Sequence, residues 1–248
     1  MKILGIDSSG LVASVAVVQD GTLLGEYTTN YKKTHSQTLL PMLDELKKMI
    51  ELDLGSLDAI AIAAGPGSFT GLRIGSATAK GLGMALEKPL VEVPTLEGLA
   101  YNLCGAQALV CPIMDARRNQ VYTGIYEFVQ EDAEVPGAEG EIRTVLRTVM
   151  EQTAMDVRDL LKELERLGRQ VIFLGDGVAV YRDLIRKECT VPYGFAPAHV
   201  NAQRAGSVAA LGEVYFGQGK TVSAAAHQPT YLRKSQAERE KEERGAKA

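Results

Sequence analysis

Apolar and polar positions along this chain change period in an order that predicts an α/β fold. Lys2–Asp7 is a short apolar run ending in a carboxylate, and Ala13–Val18 is a second. Gln19-Asp20-Gly21 then supplies the Asp-Gly pair that tight hairpins favour, so Thr22–Tyr27 completes a three-strand meander. From Ser36 to Glu51 the apolar period becomes helical. Thr34 or Ser36 can cap this helix, and Pro41 falls near the end of the first turn, where its missing N–H costs least. Leu57–Ala64 reads as a strand, Gly71–Leu86 as a second helix and Thr95–Leu103 as a short third.

A second half repeats the style. Leu109–Asp115 is an apolar run ending in Asp, and Gln120–Phe128 alternates as a strand. Placing Asp7 on Asp115 aligns Ala13–Val18 with Val121–Tyr126, the pattern of a duplicated architecture. Gln130–Gly140 reads as an acidic loop. Asp156–Leu167 is an amphipathic helix capped by Asp156, and Val171–Leu174 is a strand running into Gly175-Asp176-Gly177. Ala202–Phe216 is a helix of small residues, and Gln236–Ala248 is a charged, apolar-poor tail. Strands followed by helices, twice over, imply mixed sheets in an α/β protein.

The Gly-rich turn Gly65-Pro66-Gly67-Ser68-Phe69-Thr70-Gly71 raises the question of phosphate. No Gly-Lys pair follows at P-loop spacing, and Thr70 stands where a dinucleotide fingerprint needs its third Gly. Gly71, Gly75, Ala79 and Gly83 recur every four residues as a bare ridge. An interior Gly costs about 1 kcal/mol relative to Ala, so Gly75, Gly81 and Gly83 together cost roughly 3 kcal/mol that close packing must offset. The neighbour is either an internal element or another protein; the ridge alone fits both. Leu39, Leu40, Met42, Leu43, Leu46, Met49 and Ile50 cover roughly half of the first helix's circumference, beyond the ~100° stripe of a one-sided surface helix. These two helices are the candidate interface.

Composition narrows the chemistry. The chain has 248 residues and a formal net charge of −4, which argues against independent nucleic-acid binding. Arg117-Arg118 and Arg233-Lys234 are the basic pairs of note. Cys104, Cys111 and Cys189 fit neither a CxxC nor a zinc pattern and read as buried free thiols of a reducing cytosol. The N-terminal apolar run meets Asp7 too early for a signal peptide, and no run reaches membrane-span length, so a soluble cytoplasmic protein is expected. Among three histidines, His35 has Leu39 at i+4, so neither HxxxH nor HExxH occurs. The turn at Gly65–Phe69 lacks the closing Gly of a nucleophile elbow.

The succession Ile6-Asp7-Ser8-Ser9, Thr34-His35-Ser36-Gln37, Gly65 through Gly75, Asp115-Ala116-Arg117-Arg118-Asn119-Gln120, Gly175-Asp176-Gly177 and Pro229-Thr230-Tyr231-Leu232-Arg233 closely resembles the TsaB (YeaZ) family over nearly the whole chain. The resemblance implies a two-lobed actin/Hsp70/sugar-kinase fold. Residues 1–104 would form the N-terminal lobe and 105–235 the C-terminal lobe, with the helix near 202–216 returning to the first and 236–248 as a tail. It implies a non-catalytic scaffold in synthesis of N6-threonylcarbamoyladenosine on tRNA. The scaffold pairs with a TsaD-like transferase, is joined by a TsaE-like ATPase, and self-pairs as a homodimer when the partner is absent. tRNA is met only through the complex, and no cofactor, metal or catalytic residue is expected. The implied partner surface comprises His35, Leu39, Met42, Leu43 and Leu46 of the first helix with Phe69, Gly71, Leu72, Arg73, Gly75, Ser76, Ala79, Lys80 and Gly83 around the second. Candidate weak nucleotide-facing turns are Asp7 and Ser8, Asp115, Arg117 and Arg118, and Gly175, Asp176 and Gly177. Asp176 interrupts the Gly-Gly pair of nucleotide-binding relatives. The alternatives are a weak nucleotide-binding module or a glycoprotease-like hydrolase.

Overall fold

A computed structural model describes residues 1–31, 34–132 and 142–233. The centre of the expected acidic loop and the charged tail lie outside the described residues. Strands β1 (Lys2–Asp7), β2 (Ala13–Gln19) and β3 (Thr22–Thr29) form the expected meander, turned at Asp20 and Gly21 with both φ positive. β4 (Ala59–Ala63) and β5 (Leu90–Val93) add in parallel on the other side of β1, giving the order β3-β2-β1-β4-β5.

The second sheet contains β6 (Leu109–Asp115), β7 (Gln120–Asp132), β8 (Ile142–Asp156), β9 (Val171–Leu174) and β10 (Tyr193–Phe195). Its order, β10-β9-β6-β7-β8, is the first sheet's order repeated, with the same parallel and antiparallel pairings. The alignment of Asp7 with Asp115 is therefore an alignment of equivalent strand ends. The pattern does not announce β8. It is a half-exposed edge strand, and its pairing with β7 shifts register near Thr123 and Ile125, which breaks the period-two signal.

Helices α1 (His35–Met49) and α2 (Phe69–Ala85) lie side by side against the first sheet. α1 buries Leu39, Leu43 and Leu46, each contributing about 1.5–3 kcal/mol of apolar transfer. Pro41 is the seventh residue of α1, not part of its first turn, and Thr34 holds the N-cap position without its side chain capping a backbone N–H. α4 (Val157–Leu167) begins as expected, with Asp156 accepting from Arg158 N, and packs with α5 (Gly177–Glu188) on the second sheet. The remaining faces are covered reciprocally. α3 (Thr95–Ala100), from the first half, packs on β6 and β7, whereas α6 (Ala205–Gly217), from the second, covers β1, β2, β4 and β5. Each half lends the other a helix. The cysteines are free; Cys111 is buried, but Cys104 is exposed, contrary to the expectation of a buried thiol, because it follows a surface 3-10 turn. No described helix is long and apolar enough to cross a membrane.

Candidate functional site

The turn after β1 is the junction on which the first half is assembled. Asp7 accepts from Ser9 N (2.8 Å) and Ser9 Oγ (2.7 Å), holding the turn closed. Ser8 Oγ donates to Gly71 O at 2.9 Å, and Ser68 N donates to Ser9 O at 2.7 Å. Ser68 Oγ in turn caps α2 by accepting from Gly71 N. The His35 Nε2–H donates to Gly10 O at 2.9 Å, so the same turn also anchors the first residue of α1. Asp7 and Ser8 are buried by these contacts, and neither lines the cleft described below. Burial pushes the Asp7 carboxyl up to about 6, against the opposing pull of the Ser9 hydrogen bonds and nearby His35.

The equivalent turn of the second half is differently built. Arg117, Arg118 and Asn119 all have φ near +60°, and Asp115 Oδ1 accepts from Arg117 N (2.9 Å) and Tyr181 OH (3.2 Å). Asp176 Oδ1 accepts from Asp115 N at 3.2 Å, and burial raises the Asp176 carboxyl. A cleft of about 730 Å³ separates the two turns, bordered by Ser9, Gly10, Gly67 and Ser68 on one side and by Asp115, Arg117 and Asp176 on the other. Three of the candidate nucleotide-facing residues, Asp115, Arg117 and Asp176, thus converge on the cleft. Arg118 is exposed beside it. Gly175 and Gly177 are buried against Ile113 O and form its backing.

The bare ridge of α2 is spent internally. A methyl on Gly71 would overlap Ser8 O, one on Gly75 would overlap Ser8 Oγ, and one on Gly83 would crowd Ala224 and Leu90. Gly71, Leu72, Gly75, Ser76, Ala79 and Gly83 are buried in the chain's own packing, as are Leu39, Leu43 and Leu46. The chain's own turn and sheet occupy the space beside them. His35, Met42, Phe69 and Lys80 are half-buried, and Arg73 is exposed with its guanidinium 3.9 Å over the Phe69 ring. The exposed large apolar side chains of the helix pair are Leu40 (53% exposed) and Met49 (71%), on the two flanks of α1, and Met84 (64%) on α2.

Sequence reasoning missed a polar cluster behind this face. His227 Nε2 lies 2.9 Å from Ser76 Oγ, and His227 Nδ1 lies 2.6 Å from Glu92 Oε1. The order hydroxyl, imidazole, carboxylate matches a hydrolytic triad, but Ser76 is 4% exposed and His227 1%. His227 also belongs to the strap that covers Ser76, so any opening that exposes the hydroxyl carries its base away. The cluster works as a staple. Lys80 Nζ donates to the Ala225 and His227 carbonyls, Val222 pairs with Leu90, and Thr230 N donates to Ala64 O. The strap then crosses the cleft, with Tyr231 stacked 5.1 Å from Phe69 and Arg233 donating to Ala116 O at 2.8 Å.

A twice-used sheet order with a cleft between the equivalent turns defines the actin/Hsp70/sugar-kinase class of fold. Within that class the chain belongs to the TsaB (YeaZ) family. The family model described as TsaD, tRNA N6-adenosine threonylcarbamoyltransferase, matches residues 22–241. The tRNA threonylcarbamoyladenosine biosynthesis protein TsaB of Bacillus subtilis is 32% identical over 96% of this chain and 96% of its own length. Its Escherichia coli counterpart is 30% identical over 94% and 95%. A crystal structure from Pseudomonas aeruginosa, described as an uncharacterized protein with similarity to peptidase YEAZ, superposes with a TM-score of 0.76 at 26% identity, covering 94% of this chain and 99% of that one.

Proposed function

We propose that this chain is the non-catalytic scaffold of a tRNA N6-threonylcarbamoyladenosine synthesis complex, binding a TsaD-like transferase through the outward surface of α1 and α2. The relatives' shared name supports the pathway. The observation that carries the surface is the exposure of Leu40, Met49 and Met84 on adjacent helices whose inner faces are fully used by the core. Leu40 and Met49 flank the buried stripe of α1 on its two sides, and Met84 stands exposed on α2, so a partner lying along the helix pair would cover all three. Leu39, where a metal-binding HxxxH would place its second His, is a core residue, which supports a scaffold rather than a metal-dependent transferase. A TsaE-like ATPase joins the pair, tRNA is modified only by the assembled complex, the work is cytoplasmic, and the free chain pairs with itself through the same surface.

The test is co-purification of the full chain with its cell's TsaD-like transferase, followed by a tRNA-modification assay. Leu40→Asp with Met84→Asp, both at exposed positions, leaves the melting temperature near wild type. It should abolish association, self-pairing and modification together. Undiminished association in the folded double variant rules the surface out.

A further inference from the structure

Seven of the twelve arginines among the described residues are held in ion pairs with carboxylates. Of the five that are not, Arg182 stacks on Phe195, Arg117 and Arg233 line the cleft, Arg118 follows Arg117 in the same turn, and Arg73 lies on Phe69, itself a lining residue. Each is positioned by something other than a carboxylate. Arg73 rests on the Phe69 ring, Arg233 is tied to Ala116 O, and Arg117 and Arg118 project from consecutive residues in the left-handed region. Two adjacent non-glycine residues at positive φ are unfavourable by about 1–2 kcal/mol each. Tyr231, tilted against Phe69 with ring centroids 5.1 Å apart, also lines the cleft and is 39% exposed. Asp115 and Asp176 also border the cleft; Asp115 Oδ1 accepts from Arg117 N and Tyr181 OH, and Asp176 Oδ1 accepts from Asp115 N.

We infer that this strip is a contact surface for the sugar-phosphate backbone and an unstacked base of an RNA strand. Guanidinium forks without carboxylate partners match phosphate oxygens. An exposed aromatic ring lining the same cleft offers the stacking platform that single-stranded segments use. The short strip on a chain of net charge −4 supplies few phosphate contacts, so it adds to binding by a complex and does not grip RNA alone. The inference rests on the scaffold reading above, in which the complex acts on tRNA.

The probe is an unmodified tRNA transcript, titrated against the complex of the full chain with its TsaD-like transferase across a salt series. Association of the two proteins is measured in the same samples. Arg117→Ala with Arg118→Ala should weaken tRNA binding roughly tenfold and flatten the salt slope by about 0.7 per lost phosphate contact. Tyr231→Leu should weaken binding without changing the slope. Association of the proteins should persist in both. Unchanged affinity and slope in an intact complex overturn the RNA surface alone. So does equal loss of binding to an acidic polypeptide competitor, which would assign the strip to a protein. Absence of any complex with wild-type chain instead defeats the scaffold reading.

Discussion

Asp7 carries a residue-scale consequence of closing the first turn. Its carboxyl titrates at about 6 in the folded chain against an ordinary 3.8, because burial outweighs the two Ser9 hydrogen bonds. Between those values the native state holds a proton that the unfolded chain has released. The Asp7 contribution to stability is therefore fullest below about pH 4, falls as pH rises, and levels off above about 6. Asp7→Asn keeps the acceptor oxygen for Ser9 but cannot titrate. Urea unfolding across this range should show a flatter curve for the variant, the difference amounting to on the order of 2–3 kcal/mol. Parallel curves would mean that the native carboxyl is not raised. At this scale the sequence is read unevenly. Asp7 and Asp115 are visible as polar stops to apolar runs, whereas Ser76, Glu92 and His227 are not visible as partners. Their hydrogen bonds join positions 151 and 135 residues apart, and no local period records such a pairing.

Among the elements, α2 shows why a motif can be read correctly as geometry and still leave its neighbour unnamed. The four-residue recurrence of small residues predicts a close approach, and the approach exists. It is made by the turn of the same chain, since Gly71 and Gly75 press on Ser8 and Gly83 on Ala224 and Leu90. Two substitutions on this helix should act in opposite directions. Gly71→Ala must displace a backbone carbonyl and should destabilise by about 2 kcal/mol or more. Gly81→Ala meets nothing within 4 Å and should stabilise by up to about 1 kcal/mol. Thermal melts of the two variants check both signs. Elements with an uninterrupted period and a cap, such as α4 with Asp156, are legible to within a residue or two. β8 and β10 are not, one because it is a half-exposed edge strand with shifted register, the other because it is three residues long.

For the whole molecule, the duplication is legible because both halves open with the same strand pattern, but the exchange of helices is not. α3 and α6 are apolar on the side that meets a sheet, and nothing local states which sheet. The strap adds a second tie. His227→Ala removes the link between Ser76 and Glu92 and should speed proteolytic cutting within residues 218–233, lowering the melting temperature. Ser76→Ala, which leaves the His227–Glu92 pair in place, should cost only about 1 kcal/mol. Equal protease resistance in wild type and His227→Ala would show that the strap is held elsewhere. The return of α6 also sets a timetable for synthesis. Ile3, Ala61, Val91 and Val93 pack on Val208, Ala209 and Leu211, so the sheet made first keeps one apolar face uncovered until α6, far later in the chain, has left the ribosome. The nascent chain therefore carries a finished sheet and an unfinished core while its second half is made, and a cut after the first half yields a fragment that exposes that face.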